Sequence, residues 1–257
     1  RQEKTKKRYL KILKFKDQIA VVTGAESGIG KKIVQKLHKE GCKVIATNFS
    51  KKNLVNKKNL EYYNLDVTVE DEWKTLQKYL DKKYKKINIL INSAGIRISG
   101  SLETTSLQSW NHTINTNTTS IFLGCKYILP LLKMAKGGSI VNLASVSGIR
   151  GVKNMLAYAA SKSAIVTLTS SLALDLSKFK IRVNAVAPGA IDTQMVSSLK
   201  KEINSVSKYN ARMKEAHPIG RIGKPEEVAN VVCFLASNDA SFMTGVIVPV
   251  DGGRSIR

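Results

Sequence analysis

Residues 19–40 read IAVVTGAESGIGKKIVQKLHKE, and the change of pattern inside this stretch decides the fold. IAVVT (19–23) is continuously apolar apart from its last residue, as a strand covered on both faces should be. A helical pattern occupies 29–40. Between them lie Gly24, Ser27, Gly28, Ile29 and Gly30, spaced G-x-x-x-G-x-G. Glycines let the backbone turn sharply and approach a pyrophosphate, which the free N–H groups and dipole of a helix N-terminus stabilise. A glycine trio by itself is also compatible with a tight strand-to-helix turn. Its place after the first strand of an alternating chain favours the phosphate reading.

Outward from this unit the same alternation continues. Strands are predicted at 43–47, 60–65, 88–92, 139–145, 182–187 and 246–250, and helices at 69–85, 107–134, 156–178 and 226–236. Strand-helix-strand repetition with right-handed crossovers gives an α/β fold, a doubly wound parallel sheet of about seven strands with helices on both faces. The second crossover, NFSKKNLVNKKN, leaves room only for a very short helix. The stretch from Pro188 to about Thr244 carries no strand, and its part at 189–220 reads as a substrate lid. The 257 residues suit one domain, 17–257, preceded by a basic extension over 1–16 that holds eight Lys or Arg and one acid. The chain opens on Arg1, as a processed or trimmed form would, and the extension lacks a secretory apolar core. An organelle-targeting remnant, a docking arm and a flexible tail all fit it, the tail most simply.

Three cysteines without metal-ligand spacing and three scattered histidines argue for reduced thiols and no metal site. No apolar run is long enough for a membrane span. An intracellular setting, cytoplasm or mitochondrial matrix, is expected. The formal charge of +23, from 42 basic and 19 acidic residues, invites a nucleic acid, an anionic surface or an acidic carrier protein as partner. Basic pairs nevertheless recur along the whole chain, which favours ordinary solvated faces.

Chemistry enters at Tyr158 and Lys162, one helical turn apart in NMLAYAASKSAIVTLTSSLALDL. A phenol with a pKa of about 10 is a poor acid or base at neutral pH, and a fixed cation nearby moves it toward the working range. Tyr79 and Lys83 share the spacing within a charge-rich stretch, where a solvated helix face accounts for them. Tyr158 differs in its company: the glycine turn, and Ser145 at the end of the preceding strand.

With these residues in hand, the chain resembles the short-chain dehydrogenase/reductases over residues 14–253. The motifs stand in order: Thr23 to Gly30, Asp66-Val67, Asn92-Ser93-Ala94-Gly95, Asn117, Ser145, Tyr158-x-x-x-Lys162 and Pro188-Gly189. The resemblance implies a Rossmann-like fold and hydride exchange between a nicotinamide cofactor and a secondary alcohol or its ketone. It gives Tyr158 the proton exchange with the substrate oxygen and Ser145 a hydrogen bond to that oxygen. Lys162 would lower the Tyr158 pKa and hold the ribose hydroxyls, and Asn117 would keep a water-linked proton path open. Ser147 competes with Ser145, and Asn115 with Asn117; spacing favours Ser145 and Asn117. The cofactor contacts implied are Asp66 and Val67 near the adenine, Asn92, Ala94 and Gly95 beside the ribose, and Pro188, Gly189, Ile191 and Thr193 around the carboxamide.

Strand two ends at Asn48, where NAD-preferring members of the family place an Asp. Without that carboxylate a 2′-phosphate meets no repulsion, and Ser50, Lys51 and Lys52 offer a hydroxyl and ammonium groups, so NADP is favoured over NAD. The C-terminal half, with the run GRIGKPEEVANVVCFLAS, is similar to 3-oxoacyl-carrier-protein reductases and related sugar or general alcohol dehydrogenases. Arg97, Arg150 and Lys153 are expected at the cleft mouth, which suits an acyl thioester on an acidic carrier. The alternative is a nucleic-acid- or complex-binding subunit on the same fold. Extra small and apolar residues on 107–134 and 156–178 lead us to expect a homo-oligomer, a tetramer in this family.

Overall fold

The computed structural model describes residues 13–49, 55–195 and 206–257. Seven strands form one parallel sheet: β1 (Ile19–Val22), β2 (Lys43–Asn48), β3 (Leu60–Asn64), β4 (Ile89–Asn92), β5 (Gly138–Leu143), β6 (Ile181–Pro188) and β7 (Ile247–Val250). Their order is β3-β2-β1-β4-β5-β6-β7, every neighbouring pair parallel. The chain reverses its direction of winding between β1 and β4. In a doubly wound sheet the crevice beyond the strand C-termini at that point is where ligands bind.

The period of two along each strand explains both layers. Ala20 and Val22 face one side, where they pack with Val34 and Leu37 of α1 (Gly28–Lys39) and Val232 of α7 (Pro225–Ala236). Ile19 and Val21 face the other, against Trp73 of α2 (Glu70–Tyr84), Ile128 of α4 (Ser120–Met134) and Ile165 of α5 (Leu156–Leu176). Each such buried side chain contributes roughly 1.5–3 kcal/mol. A central strand such as β1 therefore needs no polar face, which is why IAVV is continuously apolar.

Four expectations change. The helix expected over 107–134 is α3 (Leu107–Ile114) joined to α4 through a π-helical turn, Asn115–Thr119. The basic extension ends before residue 16: Phe15 is fully buried in the core, its N–H bonds the Glu40 carbonyl at 3.0 Å, and Lys14 pairs with Asp239. An aromatic ring has more to gain from the core than its basic neighbours lose. The Tyr79–Lys83 pair is no solvated face. Glu61 of edge strand β3 accepts bonds from Tyr79, from Lys83 at 2.7 Å and from Tyr84 at 2.7 Å, tying β3 to α2. Arg150 does not itself line the cleft as Arg97 and Lys153 do, but donates to the carbonyls of Arg254 at 2.7 Å and Arg257 at 2.6 Å. Residues 1–12 lie outside the described residues, as do 50–54 of the crossover in which a very short helix is expected, with Ser50, Lys51 and Lys52 among them. So does part of the expected lid, whose described portion includes α6 (Val206–Ala216). No helix among the described residues is long and apolar enough to cross a membrane.

Candidate active site

The glycine turn is shaped by what it touches. Gly24 has φ +63°, and a Cβ there would stand 2.8 Å from the Ala94 Cα; one at Gly30 would run into the Gly24 carbonyl. The turn thus packs directly on the loop after β4. Thr23 completes the joint: its hydroxyl oxygen accepts the N–H groups of Ser93 at 3.0 Å and Ala94 at 3.1 Å. The first turn of α1 carries no acid, whereas α2 begins with Glu70, Asp71 and Glu72 and α7 with Glu226 and Glu227. Ser27, the N-cap of α1, makes no side-chain capping bond. A first turn without an acid of its own suits the positive end of α1 to an anion.

A cavity of about 210 Å³ opens from this turn toward the catalytic candidates. Gly24, Ser27, Gly28, Ile29 and Gly30 form its floor. Ala94, Gly95, Pro188 and Thr193 line its walls. Ser145, Tyr158 and Lys162 close its far end. A second cavity, of about 610 Å³, lies on the other side of Ser145 and Tyr158 and reaches Gly189.

Ser145 is buried and opens the short 3₁₀ turn Val146–Gly148, its oxygen accepting the Ser147 N–H at 3.1 Å. The Ser147 N–H thus engages the Ser145 hydroxyl oxygen beside Tyr158. Desolvation holds the half-buried Tyr158 phenol above the usual tyrosine range, against the Ser145 hydrogen bond and the charge of Arg97, which both pull it down. Lys162 donates from Nζ to the Leu143 carbonyl at 2.7 Å and stands 5.8 Å from the Tyr158 ring centroid. Burial lowers its own pKa to about 8. One strand-end carbonyl takes one of its three protons, leaving donors for ribose hydroxyls in the adjoining cavity.

Asn117 is fully buried in the π turn. Its amide bonds the Ile96 main chain in both senses, accepting N–H at 2.8 Å and donating to the carbonyl at 2.9 Å, and it donates to Ser161 at 2.9 Å. A Cβ on Gly95 would meet both the Asn117 oxygen and the Lys162 ammonium, at 3.2 and 3.5 Å. The side chain thus holds the β4 loop against α5.

Other candidates are not in the lining of this first cavity. Asn92 turns its amide into a buried chain, donating to Asn142 at 2.9 Å, which donates to Thr169 at 3.0 Å. Ile191 packs into the core beside α7. Asp66 caps the turn before α2, accepting from the Thr68 N–H at 2.9 Å and hydroxyl at 2.7 Å. Val67 gives its carbonyl to the Trp73 indole at 3.0 Å. Asn48, at the end of β2, is buried outside the first cavity's lining. Thr23, the Leu143 carbonyl, Arg212 and Arg254 were missed as site residues. Thr23 had a signal, its position at the strand end before the glycines; the others had none.

This fold and site define an oxidoreductase that binds a nicotinamide dinucleotide at the switch point of a doubly wound sheet. The family described as Enoyl-(Acyl carrier protein) reductase matches residues 24–255. A 3-oxoacyl-[acyl-carrier-protein] reductase of Thermotoga maritima is 36% identical over 252 residues, 95% of this chain and 100% of its own. Meso-2,3-butanediol dehydrogenase of Serratia marcescens is 34% identical over 249 residues, covering 95% and 96%. The ligand-free aldohexose dehydrogenase of Thermoplasma acidophilum superposes with a TM-score of 0.89 at 37% identity, covering 96% and 97%. The chain belongs to the short-chain dehydrogenase/reductases: it is an NAD(P)-dependent oxidoreductase acting on CH–OH groups. The nucleic-acid-binding alternative gains no support from these relatives.

Proposed function

We propose that the protein interconverts a secondary alcohol and its ketone with NADP, using Tyr158, Ser145 and Lys162 as its working groups. One observation carries this reading: Ser145 and Tyr158 line both cavities, so a substrate oxygen bound between them faces the cofactor cleft. Bound there, the nicotinamide supplies or accepts the hydride. Tyr158 exchanges the proton with the substrate oxygen, and Ser145 donates to that oxygen from a hydroxyl oriented by the Ser147 N–H. Lys162 holds the ribose hydroxyls with its remaining donors and offsets negative charge on the phenol. Asn117 acts through position, fixing the loop that carries Ala94 and Gly95. Tyr158→Phe should lower kcat by at least about a thousandfold and leave cofactor affinity, read by fluorescence titration, within a few-fold. Retained turnover would refute the role.

The choice of NADP rests on the neutral Asn48 at the end of β2, where no carboxylate repels a 2′-phosphate. A kcat/KM for NAD equal to or above that for NADP would overturn it. The relatives named above differ in the substrates their names give, a 3-oxoacyl carrier-protein thioester, a diol and an aldohexose, and 3-oxoacyl thioesters are one substrate class within this reading. We also propose a homotetramer, since α4 and α5 leave Phe122 and Leu174 52% and 79% exposed. Light scattering at the monomer mass would refute it.

A further inference from the structure

Arg150, expected at the cleft mouth, instead ties together two segments that line the substrate-side cavity. It stands five residues beyond Ser145, at the end of the turn that Ser145 opens. There the Gly148 N–H bonds the Ser145 carbonyl at 2.9 Å, and its own N–H bonds the Val146 carbonyl at 3.0 Å. This turn is pressed onto the helix of Tyr158. A Cβ on Gly148 would stand 2.5 Å from the Lys162 carbonyl, and the Ser163 hydroxyl donates to the Gly148 carbonyl at 3.0 Å. From the end of the turn the Arg150 guanidinium reaches segment 251–257. A single nitrogen, Nη1, donates to the carbonyls of Arg254 and Arg257 at 2.7 and 2.6 Å. That segment in turn carries the end of α6. The Ile219 N–H bonds the Gly252 carbonyl at 3.1 Å, and a Cβ on Gly252 or Gly253 would stand 2.6 Å from Ile219 or 3.0 Å from Pro218. Arg257 donates to the Glu215 carbonyl, its guanidinium 3.8 Å from the Glu215 carboxylate. Ser145, Met213 of α6 and Arg254 all line the same cavity.

We infer that Arg150 is a positioning residue: through segment 251–257 it holds the α6 wall of the cavity in register with the turn that carries Ser145, and so sets how tightly a substrate is held between them. The inference rests on the alcohol–ketone reading above for the substrate, and on the bonds just described for the tie. Nη1 carries two protons, one for each carbonyl, on a planar group that fixes their directions, whereas an ammonium is a point charge without that fork. Both bonds are exposed, so water replaces them when the side chain is shortened and the core stays folded. The cofactor cavity takes no lining from α6 or from segment 251–257, which separates the effect on substrate from any effect on the dinucleotide.

Hydrogen exchange on the intact chain without cofactor tests the tie. In Arg150→Met the amides of 253–256 and of Ile219 should exchange about 3- to 10-fold faster, the factor set by one net hydrogen bond, while those of β1 and α1 keep their wild-type rates. Kinetics supply the second arm, with methyl 3-oxobutanoate reduced by NADPH. Arg150→Met should raise KM for the ester about 3- to 10-fold and leave kcat and NADPH affinity within about twofold, and Arg150→Lys should recover part of the loss. Unchanged exchange at 253–256 and Ile219 overturns the inference, because the tie is then absent. Faster exchange shared by β1 and α1 overturns it too, since Arg150 is then an ordinary stability contact. Local loosening with an unchanged KM also overturns it, because the tie then stops short of the substrate. If the wild type reduces neither this ester nor 2,3-butanedione with NADPH or NADH, the alcohol–ketone reading fails and takes the KM claim with it, a result distinct from the others because the exchange pattern is unaffected.

Discussion

Replacing Lys162 by Met should make the cofactor-free protein more stable while ending its turnover. The Lys162 ammonium is 5% exposed, and burial lowers its pKa from the ordinary 10.5 to about 8. A gap of about 2.5 units at about 1.36 kcal/mol each means that keeping the charge buried costs about 3 kcal/mol at pH 7. Methionine removes that penalty but loses the hydrogen bond to the Leu143 carbonyl, about 1 kcal/mol. The net gain of about 2 kcal/mol corresponds to a rise of about 4–8 °C in Tm for a chain of this size. The sign with pH follows from linkage. Between about pH 8 and 10.5 the unfolded wild type binds the proton that the folded form has released, so wild-type stability from this group rises across that window. The variant's advantage should therefore be full at pH 7, shrink above pH 8 and vanish near pH 10. Parallel thermal melts of both proteins at pH 7, 8.5 and 10 measure it, with NADP-induced stabilisation as a companion, expected to be larger in the wild type. A variant less stable than wild type at pH 7, or a difference that ignores pH, refutes the reasoning. The outcome bears on why the site is built this way: a desolvated cation is a liability to the fold and a resource only once the cofactor is bound.

Two further outcomes follow from other buried polar groups. His217 is 2% exposed, its Nδ1 bonding the Met213 carbonyl at 2.6 Å while Nε2 accepts the Ala190 N–H at 3.1 Å, so α6 is tied to the loop after β6 only in the neutral form. Burial lowers its pKa, so the unfolded chain takes up the proton first and stability is lost as pH falls below about 6.5. Wild-type Tm should drop between pH 7 and 5 by more than that of His217→Gln. Glu61 offers a contrast remote from catalysis. Burial alone would raise its pKa, but the bonds from Lys83, Tyr79 and Tyr84 outweigh it and hold the carboxyl below the usual range. Glu61→Gln should destabilise the protein by about 1–3 kcal/mol in denaturant titration and leave KM values unchanged; an altered KM would show that the β3 edge communicates with the cleft.

Much of the molecule was legible as sequence because its signals are local. A continuously apolar run, a glycine turn and a helical period fit within twenty-odd residues at 19–40, and each period has one geometric meaning. The spacing of Tyr158 and Lys162 along one helix, and of Ser145 before them, is likewise read without knowing the sheet. What spacing does not encode is where a side chain at a strand end turns. Asn92 and Ile191 sit within the right motifs, yet one joins a buried amide chain and the other the core, because packing partners on β5 and α7 claim them. The π turn at Asn117 comes from bonds to Ile96 and Ser161, 21 and 44 residues away.

Arg97 and Arg254 meet for the same reason, 157 positions apart along the chain, at one cavity. The chain alone thus determined the layers and the strand-turn-helix unit, since short-range periodicity and sterics specify them, and the spacing of the proposed reacting trio. Which cations surround that trio, and whether burial or a neighbour governs each proton, was decided only when parallel pairing brought the C-terminal ends of distant strands to one edge and excluded water between them.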